Sequence, residues 1–454
     1  MIDPRDKPLS RQGGLYAALW RLHFFAGLIV APVLLLMAAT GGLYLFKAEI
    51  DGLLYGRLAR APASEVRLPP SAWVAAAEAA TGGEARRLTL PAEGQAAAVL
   101  VRLPDGGERL LHLDPADARL IGESPPGGAL GWIKRVHSLE TFGPWANLLA
   151  EIAAGWAILL VVTGAVLWWP RPGQPAIALR GNAARRPFWR DLHALIGVFA
   201  GAVILFLAAT GMPWSAVWGQ QVRAITNQAG WGRPEAPPAT GGWRPAPAAE
   251  AGTHTHGAMP WALQGEALAA RTPATAEFAD AVDAVAAATS QRMAPPFDLT
   301  LSRDPELAST ASRAGGGRVE DMRTLYLSAD GDVLADIGYG AFGPAAQAIE
   351  WGVAVHQGAQ YGWPNKLVML AGCLSIWGLA ISGLIMWWKR RPARRLGAPP
   401  RPPSLRAYAT AGLVVLPIAL LYPLVGATLA GALMIDALVQ RLPRNTHRAQ
   451  GAQA

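Results

Sequence analysis

Four apolar runs, each about as long as a membrane-spanning helix, limit what this chain can fold into. A helix needs roughly 20 residues to cross the hydrocarbon core of a bilayer. The first run is followed by Lys47-Ala48-Glu49 rather than by a small-residue cleavage site, which predicts an uncleaved span instead of a signal peptide. We therefore expect a membrane protein with a core of four helices. The runs cover about 16–46, 146–169, 192–218 and 366–388.

The composition agrees with a membrane protein. Only 16% of the 454 residues are charged, whereas a soluble domain carries about 25%. The net charge of +8 comes from short basic clusters at the ends of the apolar runs, which favours topology signals over a surface for nucleic acid. The single cysteine, Cys373, excludes an intrachain disulfide and a cysteine-based metal site.

The basic clusters also predict the orientation. One precedes the first span, one fills the connection between the second and third spans, and one follows the fourth, so all three lie on the side that the positive-inside rule makes cytoplasmic. The N-terminus is then cytoplasmic, and about 47–145 and 219–350 face the periplasm or the cell exterior. Each cytoplasmic connection is shorter than the roughly 30 residues of a βαβ unit, which excludes an internal flavin or nicotinamide domain.

A last apolar stretch, about 407–439, is interrupted at Tyr422-Pro423. It predicts either one long span or two short ones. Two crossings would place Arg441, Arg444 and Arg448 on the cytoplasmic side with the other basic residues, which favours two. Five and six spans both remain open at this point.

The spans repeat. The first matches the third in register, and the second matches the fourth, which predicts a duplicated two-helix hairpin with parallel repeats about an axis along the membrane normal. In the first pair, His23 stands 17 residues before Thr40-Gly41, as His193 does before Thr210-Gly211. In the second pair, the landmarks His137, Gly143, Thr163-Gly164 and Trp168-Trp169 recur as His356, Gly362, Ser382-Gly383 and Trp387-Trp388 with the same spacing.

Each long extracytoplasmic region predicts a small α+β module. The first has a helix near 71–81 and strands near 98–103 and 109–113, and the second has a helix near 278–289 and strands near 324–327 and 333–337. Residues 230–257, rich in Gly, Pro and Ala, predict a mobile loop. Trp231, Trp243 and Trp261 lie in or near this loop, where they either bind an organic ligand or cover the second module.

Four of the eight histidines, His23, His137, His193 and His356, occupy the repeat positions. Helix geometry puts the pair His23 and His193 in the inner leaflet and the other pair at the outer surface. One pair on each side suits bis-imidazole ligation of two haems b, because imidazole is a standard axial ligand of haem iron. No Cys-x-x-Cys-His occurs, which excludes covalent attachment. The alternative is interfacial histidines that bond to backbone or lipid headgroups.

The Thr-Gly and Ser-Gly pairs of the repeat have two interpretations. Small polar pairs allow close approach between helices, and packing alone explains them. They could also let a flat macrocycle lie against the helix backbone.

The sequence resembles the PepSY-associated transmembrane proteins, which include iron-regulated membrane proteins and ferric-siderophore reductases of the bacterial inner membrane. The resemblance covers about 15–395. It implies a four-helix core that binds b-type haem, two periplasmic PepSY modules, and reduction of a ferric chelate during metal uptake. It rests on Trp20-Arg21-Leu22-His23 with Thr40-Gly41, on Trp189 to His193 with Thr210-Gly211, on the span ends Gly164 to Trp169 and Gly383 to Trp388, and on turns such as Asp330-Gly331.

Together, the residues and the resemblance predict a mainly α membrane protein. Duplicated two-helix hairpins form a four-helix transmembrane core, with two small α+β PepSY-like periplasmic modules and a C-terminal membrane segment. The expected segments are 1–46 (N-terminus and first span), 47–145 (first module), 146–218 (second and third spans), 219–355 (second periplasmic region), 356–395 (fourth span) and 396–454 (C-terminal membrane segment and basic tail).

The expected function is that of an inner-membrane haem-b oxidoreductase that passes electrons to a periplasmic ferric siderophore or other metal chelate. His23 and His193 are expected to ligate the inner haem iron, and His137 and His356 the outer one; no other catalytic residue is predicted. The electron donor is expected to be membrane quinol or a cytoplasmic reductase. The expected surroundings are the lipid bilayer, and no nucleic acid is expected.

Two other classes remain open. One is a non-enzymatic PepSY membrane protein that binds or regulates a periplasmic peptide or protease. The other is a metal or solute permease, which the small number of charges inside the spans disfavours.

Overall fold

The computed structural model describes most of the chain. The basic residues of 1–10, the loop segment 247–258 and the tail from 442 onward, with Arg444 and Arg448, lie outside the described residues. The described residues are 11–169, 177–246, 259–271, 273, 275–313, 317–392, 397–399 and 405–441.

Four helices of the described chain are long and apolar enough to cross a membrane, so the protein is a multi-pass membrane protein. The prediction of four spans is confirmed by the length and composition of these helices. The helices are α1 (Arg11–Tyr44), α5 (Pro144–Trp168), α6 (Arg186–Gly211) and α10 (Trp363–Arg390).

The shorter helices lie outside these spans. The C-terminal apolar stretch divides at Tyr422, since Pro423 begins a new helix at a position where its missing N–H is not needed. The shorter helices are α2 (Lys47–Tyr55), α3 (Pro70–Thr81), α4 (Gly128–His137), α7 (Trp218–Gln228), α8 (Phe278–Ser290), α9 (Pro344–His356), α11 (Leu405–Leu421) and α12 (Pro423–Arg441).

The chain divides into two compact units. The first unit contains 1–32, 151–201 and 379–454, and the second contains 33–150 and 202–378. Within the first unit, α12 packs against α5, where the Trp156 Nε1–H donates to Thr428 Oγ1 at 3.0 Å. Ala411 of α11 packs with Ala18 and Leu19 of α1.

The second unit contains an eight-stranded antiparallel sheet in the order β10-β9-β8-β7-β1-β2-β3-β4. Its helices α3 and α8 supply the apolar residues that pack against it, among them Trp73 and Val282. The first four strands are β1 (Glu84–Leu90), β2 (Ala97–Arg102), β3 (Glu108–Leu113) and β4 (Leu120–Ser124). The others are β7 (Phe297–Thr300), β8 (Ser309–Ser312), β9 (Arg323–Leu327) and β10 (Val333–Gly338).

This sheet differs from the two small modules that the sequence predicts. The two extramembrane regions each contribute four strands, and β1 pairs with β7 to join them, with Leu88 opposite Leu299. The Thr89 hydroxyl donates to Asp298 Oδ1 at 2.6 Å across the same pair. The physical reason is that an unpaired edge strand leaves backbone donors and acceptors unsatisfied, and pairing the two edges satisfies both.

Part of the predicted mobile loop is ordered. Strand β5 (Trp243–Pro245) pairs with β6 (Glu266–Leu268), and Trp243 lies opposite Leu268. A second apolar core forms around Trp261, Leu263, Tyr326 and Phe342. The Gly- and Pro-rich segment therefore contributes to the folded second unit.

We expect Asp283→Ala to destabilise the second unit. Its carboxylate accepts hydrogen bonds from the Ser71 N–H at 2.8 Å and the Ser71 hydroxyl at 2.7 Å, and so joins α8 to the first turn of α3. Losing both bonds should cost about 1–2 kcal/mol of unfolding free energy, measured by denaturant titration with tryptophan fluorescence. The exposed Asp332, changed to Ala, is the control and should differ by less than about 0.5 kcal/mol. Equal effects of the two changes would contradict this assignment.

Candidate functional site

Two of the predicted histidines meet in the first unit. His23 of α1 and His193 of α6 have ring centres 6.3 Å apart and ring planes at 83°. His23 Nδ1 lies 2.9 Å from Thr163 Oγ1 on α5. His193 Nδ1 lies 3.0 Å from Ser382 Oγ on α10. The structure thus brings together the residues of the predicted inner pair.

The other two histidines lie in the second unit, each as the last residue of its helix. His137 ends α4, and its Nδ1 lies 3.0 Å from Thr40 Oγ1. His356 ends α9, and its Nδ1 lies 2.9 Å from Thr210 Oγ1. Burial lowers the pKa of both imidazoles, and the pKa of His356 falls to about 4, with the charge of His137 as a second cause. Both imidazoles are therefore neutral at pH 7.

The four histidines make the same contact, and the hydroxyl groups determine its polarity. Thr40, Thr163 and Thr210 each donate their single hydroxyl proton to the carbonyl one turn earlier in their own helix, at 2.6–2.7 Å. Such a hydroxyl can only accept at its remaining side, so the imidazole must donate from Nδ1–H. Ser382 likewise donates to Leu379 O at 3.1 Å. This geometry assigns the Nδ1–H tautomer to the histidines.

The other ring nitrogen is then available. In the Nδ1–H tautomer, Nε2 carries a lone pair and no proton. Among the described residues, the hydrogen bonds of these four side chains are all made through Nδ1. Each site therefore offers one uncommitted nitrogen ligand.

A glycine follows each of the four hydroxyl residues and lies against the imidazole. A Cβ placed on Gly41 would be 3.3 Å from His137 Cε1, and one on Gly164 would be 3.3 Å from His23 Cε1. At Gly211 and Gly383 the corresponding distances, to His356 and His193, are 3.7 Å. The small pairs that the sequence predicts at helix contacts therefore also make room for the imidazole rings.

Of the four remaining histidines, only His112 lies within the described residues. His112 is buried in β3, with Nε2 2.9 Å from Ser124 Oγ, a structural contact. His254, His256 and His447 lie outside the described residues. Within the described ranges, no group of three or more His, Cys, Asp or Glu side chains could hold a metal ion.

Glu350 is a buried carboxyl that the sequence analysis missed. It lies on α9, six residues before His356, and accepts a hydrogen bond from the Trp261 backbone N–H. Burial raises its pKa from the ordinary 4.5 to about 7, and the Trp261 N–H opposes the rise. The available signal was a single acidic residue in the otherwise uncharged segment 344–355.

Trp261 links the elements that hold His356. Its side chain is fully buried, and its Nε1–H donates to Pro213 O at 2.7 Å, three residues after Thr210. It therefore covers the module, one of the two predicted roles. Trp243 is half-buried against Tyr326, and Trp231 is exposed.

A second missed acid, Glu151, is buried within the candidate span Trp145–Trp168. An ionisable side chain inside a span is costly and commonly functional, so its position in an apolar run was a usable signal.

Comparison with known protein families finds one match that spans most of the chain. The family model described as the PepSY-associated TM region matches residues 20–390. The match begins three residues before His23 and ends at the last residue of α10, so it includes all four histidines and the hydroxyl–glycine pairs that contact them. No curated protein matches the chain.

Glu350 should make the second unit less stable as pH rises from about 5 to 8. Between pH 4.5 and 7 the folded chain retains a proton on this carboxyl that the unfolded chain has released, so stability is lost as pH rises through this range. We expect a loss of the order of 1–3 kcal/mol, and Glu350→Gln should remove this part of the pH dependence.

Thermal unfolding of the solubilised protein at pH 5 and pH 8 measures this effect. The exposed Glu93, changed to Gln, is the control and should leave the pH profile unchanged. If Glu350→Gln and wild type lose stability in parallel, Glu350 does not titrate in this range.

Proposed function

We propose that this chain, which belongs to the family of the PepSY-associated TM region, is a haem-b oxidoreductase that passes electrons to a ferric chelate. His23 and His193 would hold one haem, and His137 and His356 a second. The observations that carry the proposal are the spacing of His23 and His193 and the hydrogen bonding that all four imidazoles share. The same four contacts support the proposal that the two halves are duplicated hairpins.

The spacing of His23 and His193 fits a shared metal. A metal–imidazole bond of about 2 Å, plus roughly 1 Å from nitrogen to ring centre on each side, separates two such rings by roughly 6 Å. The observed ring separation is 6.3 Å. This agreement supports the proposal that His23 and His193 would hold one metal centre together, rather than act as independent interfacial histidines.

The hydrogen bonding fits as well. Metal-bound histidines usually donate their second N–H to an oxygen, which fixes the tautomer and the ring orientation. Thr40, Thr163, Thr210 and Ser382 supply that oxygen here. When bound, a b-type haem would supply a one-electron iron couple.

The chain's own residues have distinct tasks in this proposal. The hydroxyls orient the imidazoles, and the glycines leave room for the rings. Burial keeps His137 and His356 neutral at pH 7, so a proton does not compete with metal for Nε2. The apolar helices around His23 and His193 limit the access of water.

The proposed substrate is iron(III) held by a siderophore or another oxygen-rich chelator. One electron converts it to iron(II), which hard oxygen ligands bind more weakly, so the metal is released. The electron would come from membrane quinol or a cytoplasmic reductase.

The proposed location is the bacterial inner membrane with the N-terminus in the cytoplasm. The support is the distribution of basic residues, which the positive-inside rule assigns to the cytoplasmic side. Among the described residues these include Arg180, Arg185, Arg186, Arg190, Lys389, Arg390 and Arg391.

Haem content tests the proposal directly. Protein expressed with a haem precursor should show a bis-imidazole Soret band and about two haems per chain by pyridine haemochrome assay. His23→Ala or His193→Ala should remove about one haem, and His137→Ala or His356→Ala the other. His112→Gln, which changes a buried histidine outside the two pairs, is the control and should retain both. A colourless wild-type protein would overturn the proposal and favour the non-enzymatic alternative that binds or regulates a peptide or protease.

The orienting hydroxyl gives a finer test. Thr163→Val removes the acceptor of the His23 Nδ1–H while preserving side-chain volume, so we expect haem dissociation to an apomyoglobin acceptor to accelerate about 10–100-fold. The control is Thr226→Val, because the Thr226 hydroxyl makes the same intrahelical bond, to Val222 O at 2.8 Å, without a histidine. Equal haem retention in both variants would mean that Thr163 does not orient the ligand.

A further inference from the structure

A cavity of about 310 Å³ lies in the second unit beside α7 and β6. This is the lower end of the range of about 300–1,000 Å³ for small-molecule sites. The lining contains two guanidinium groups, three side-chain amides and one carboxylate, which leaves one positive charge in excess. The lining residues are Gln220, Arg223, Ala224, Asn227, Gln228, Arg233 and Glu266.

The two guanidinium groups are held in place by aromatic rings. Arg223 lies 5.8 Å from the centre of the Trp261 ring, and Arg233 lies 5.6 Å from that of Trp243. Such cation–π contacts fix the position of a guanidinium group without using its N–H donors. The arginines therefore need little rearrangement to bind a ligand.

Several donors of these arginines remain available. Arg223 Nη1 donates to Gln264 Oε1 at 3.1 Å and to Trp261 O at 3.4 Å, and Arg233 Nη1 donates to Glu266. Among the described residues, the guanidinium hydrogen bonds of both arginines involve Nη1 alone. The Nε–H and Nη2–H groups form the edge that binds a carboxylate in a bidentate manner.

Glu266 does not neutralise the cavity. It pairs with Arg233, so its charge is already matched. Arg223 has no such ion pair among the described residues, and burial lowers its pKa from the ordinary 12.5, a change that Glu266 only opposes. An anion in the cavity would compensate this partly desolvated cation.

Trp261 connects the cavity to the elements around His356. Arg223 lies against the ring of Trp261. The Trp261 Nε1–H donates to Pro213 O, and the Trp261 backbone N–H donates to Glu350. Pro213 closely follows the Thr210 hydroxyl that contacts His356, and Glu350 shares α9 with His356. One buried residue, through its side chain to Pro213 and its backbone N–H to Glu350, therefore joins the cavity to both elements that position this histidine.

We propose that this cavity binds an oxygen-rich polycarboxylate anion, with Arg223 and Arg233 as the binding residues. Its volume suits a citrate-sized ferric chelate or one carboxylate-bearing arm of a larger chelate. The inference rests on the proposed function, because it assigns a docking site to the ferric substrate. The binding itself requires no haem, so it can be measured separately.

Calorimetric titration of the purified full-length chain with citrate, and separately with ferric citrate, tests the site. Arg223→Gln and Arg233→Gln should each weaken binding at least tenfold. Ala224→Trp, which fills the cavity while keeping both charges, should abolish it. The matched control is Arg303→Gln, since Arg303 also lies over an aromatic ring, Phe278 at 3.8 Å, and pairs with an acid, Glu78, outside the cavity. This variant should bind like wild type.

The outcomes separate the two proposals. Binding of both probes assigns recognition to the carboxylates, and binding of ferric citrate alone assigns it to the chelate. Both outcomes support the site if the cavity variants lose the binding. Absence of binding to wild type, or equal binding in all variants, overturns it even in a chain that contains two haems. A haem-free chain whose binding depends on Arg223 and Arg233 would contradict the proposed function and leave the site in place.

Discussion

The hydrogen bond between an imidazole Nδ1–H and a hydroxyl on a neighbouring helix is the interaction on which the candidate site depends. Because the threonine hydroxyl donates its proton to a carbonyl of its own helix, it accepts a hydrogen bond from the imidazole ring and selects one tautomer. The adjacent glycine lets the ring edge approach the helix backbone. A short hydroxyl–glycine sequence thus controls the orientation and the free nitrogen of a histidine that is distant along the chain.

The sequence predicts the four spans, and it singles out the four histidines that contact hydroxyl groups in the structure, because both signals depend on local pattern and spacing. A run of about twenty apolar residues indicates a membrane-spanning helix. The spacing of matched residues in two spans can be compared directly. The hydroxyl group that contacts each histidine could not be predicted in the same way. His23 and Thr163 are 140 residues apart, and spacing within one helix does not say which face meets a neighbouring helix. From the sequence alone, the hydroxyl–glycine pairs therefore predict either helix packing or a surface for a macrocycle.

The extramembrane region shows the same limit. Strands β2, β3, β9 and β10 and the helices α3 and α8 follow from turn residues and alternation. The other four strands of the sheet do not, and the pairing of β1 with β7 joins residues about 200 positions apart. Glu350, Arg223 and Arg233 were missed for a related reason. Their importance comes from burial against Trp261 and Trp243, and a single charged residue in a sequence gives no measure of its burial.

The pairing of β1 with β7 also has a consequence for biosynthesis. β1 ends at Leu90 and β7 begins at Phe297, so a ribosome that adds about 5–20 residues per second needs roughly 10–40 s to complete the interval. During that time two further spans must enter the bilayer. The β1 edge of the first four strands meanwhile lacks its partner strand, β7. Newly made chains are therefore most vulnerable to misassociation before the second half emerges, and co-translational protection of that edge would determine the yield of folded protein.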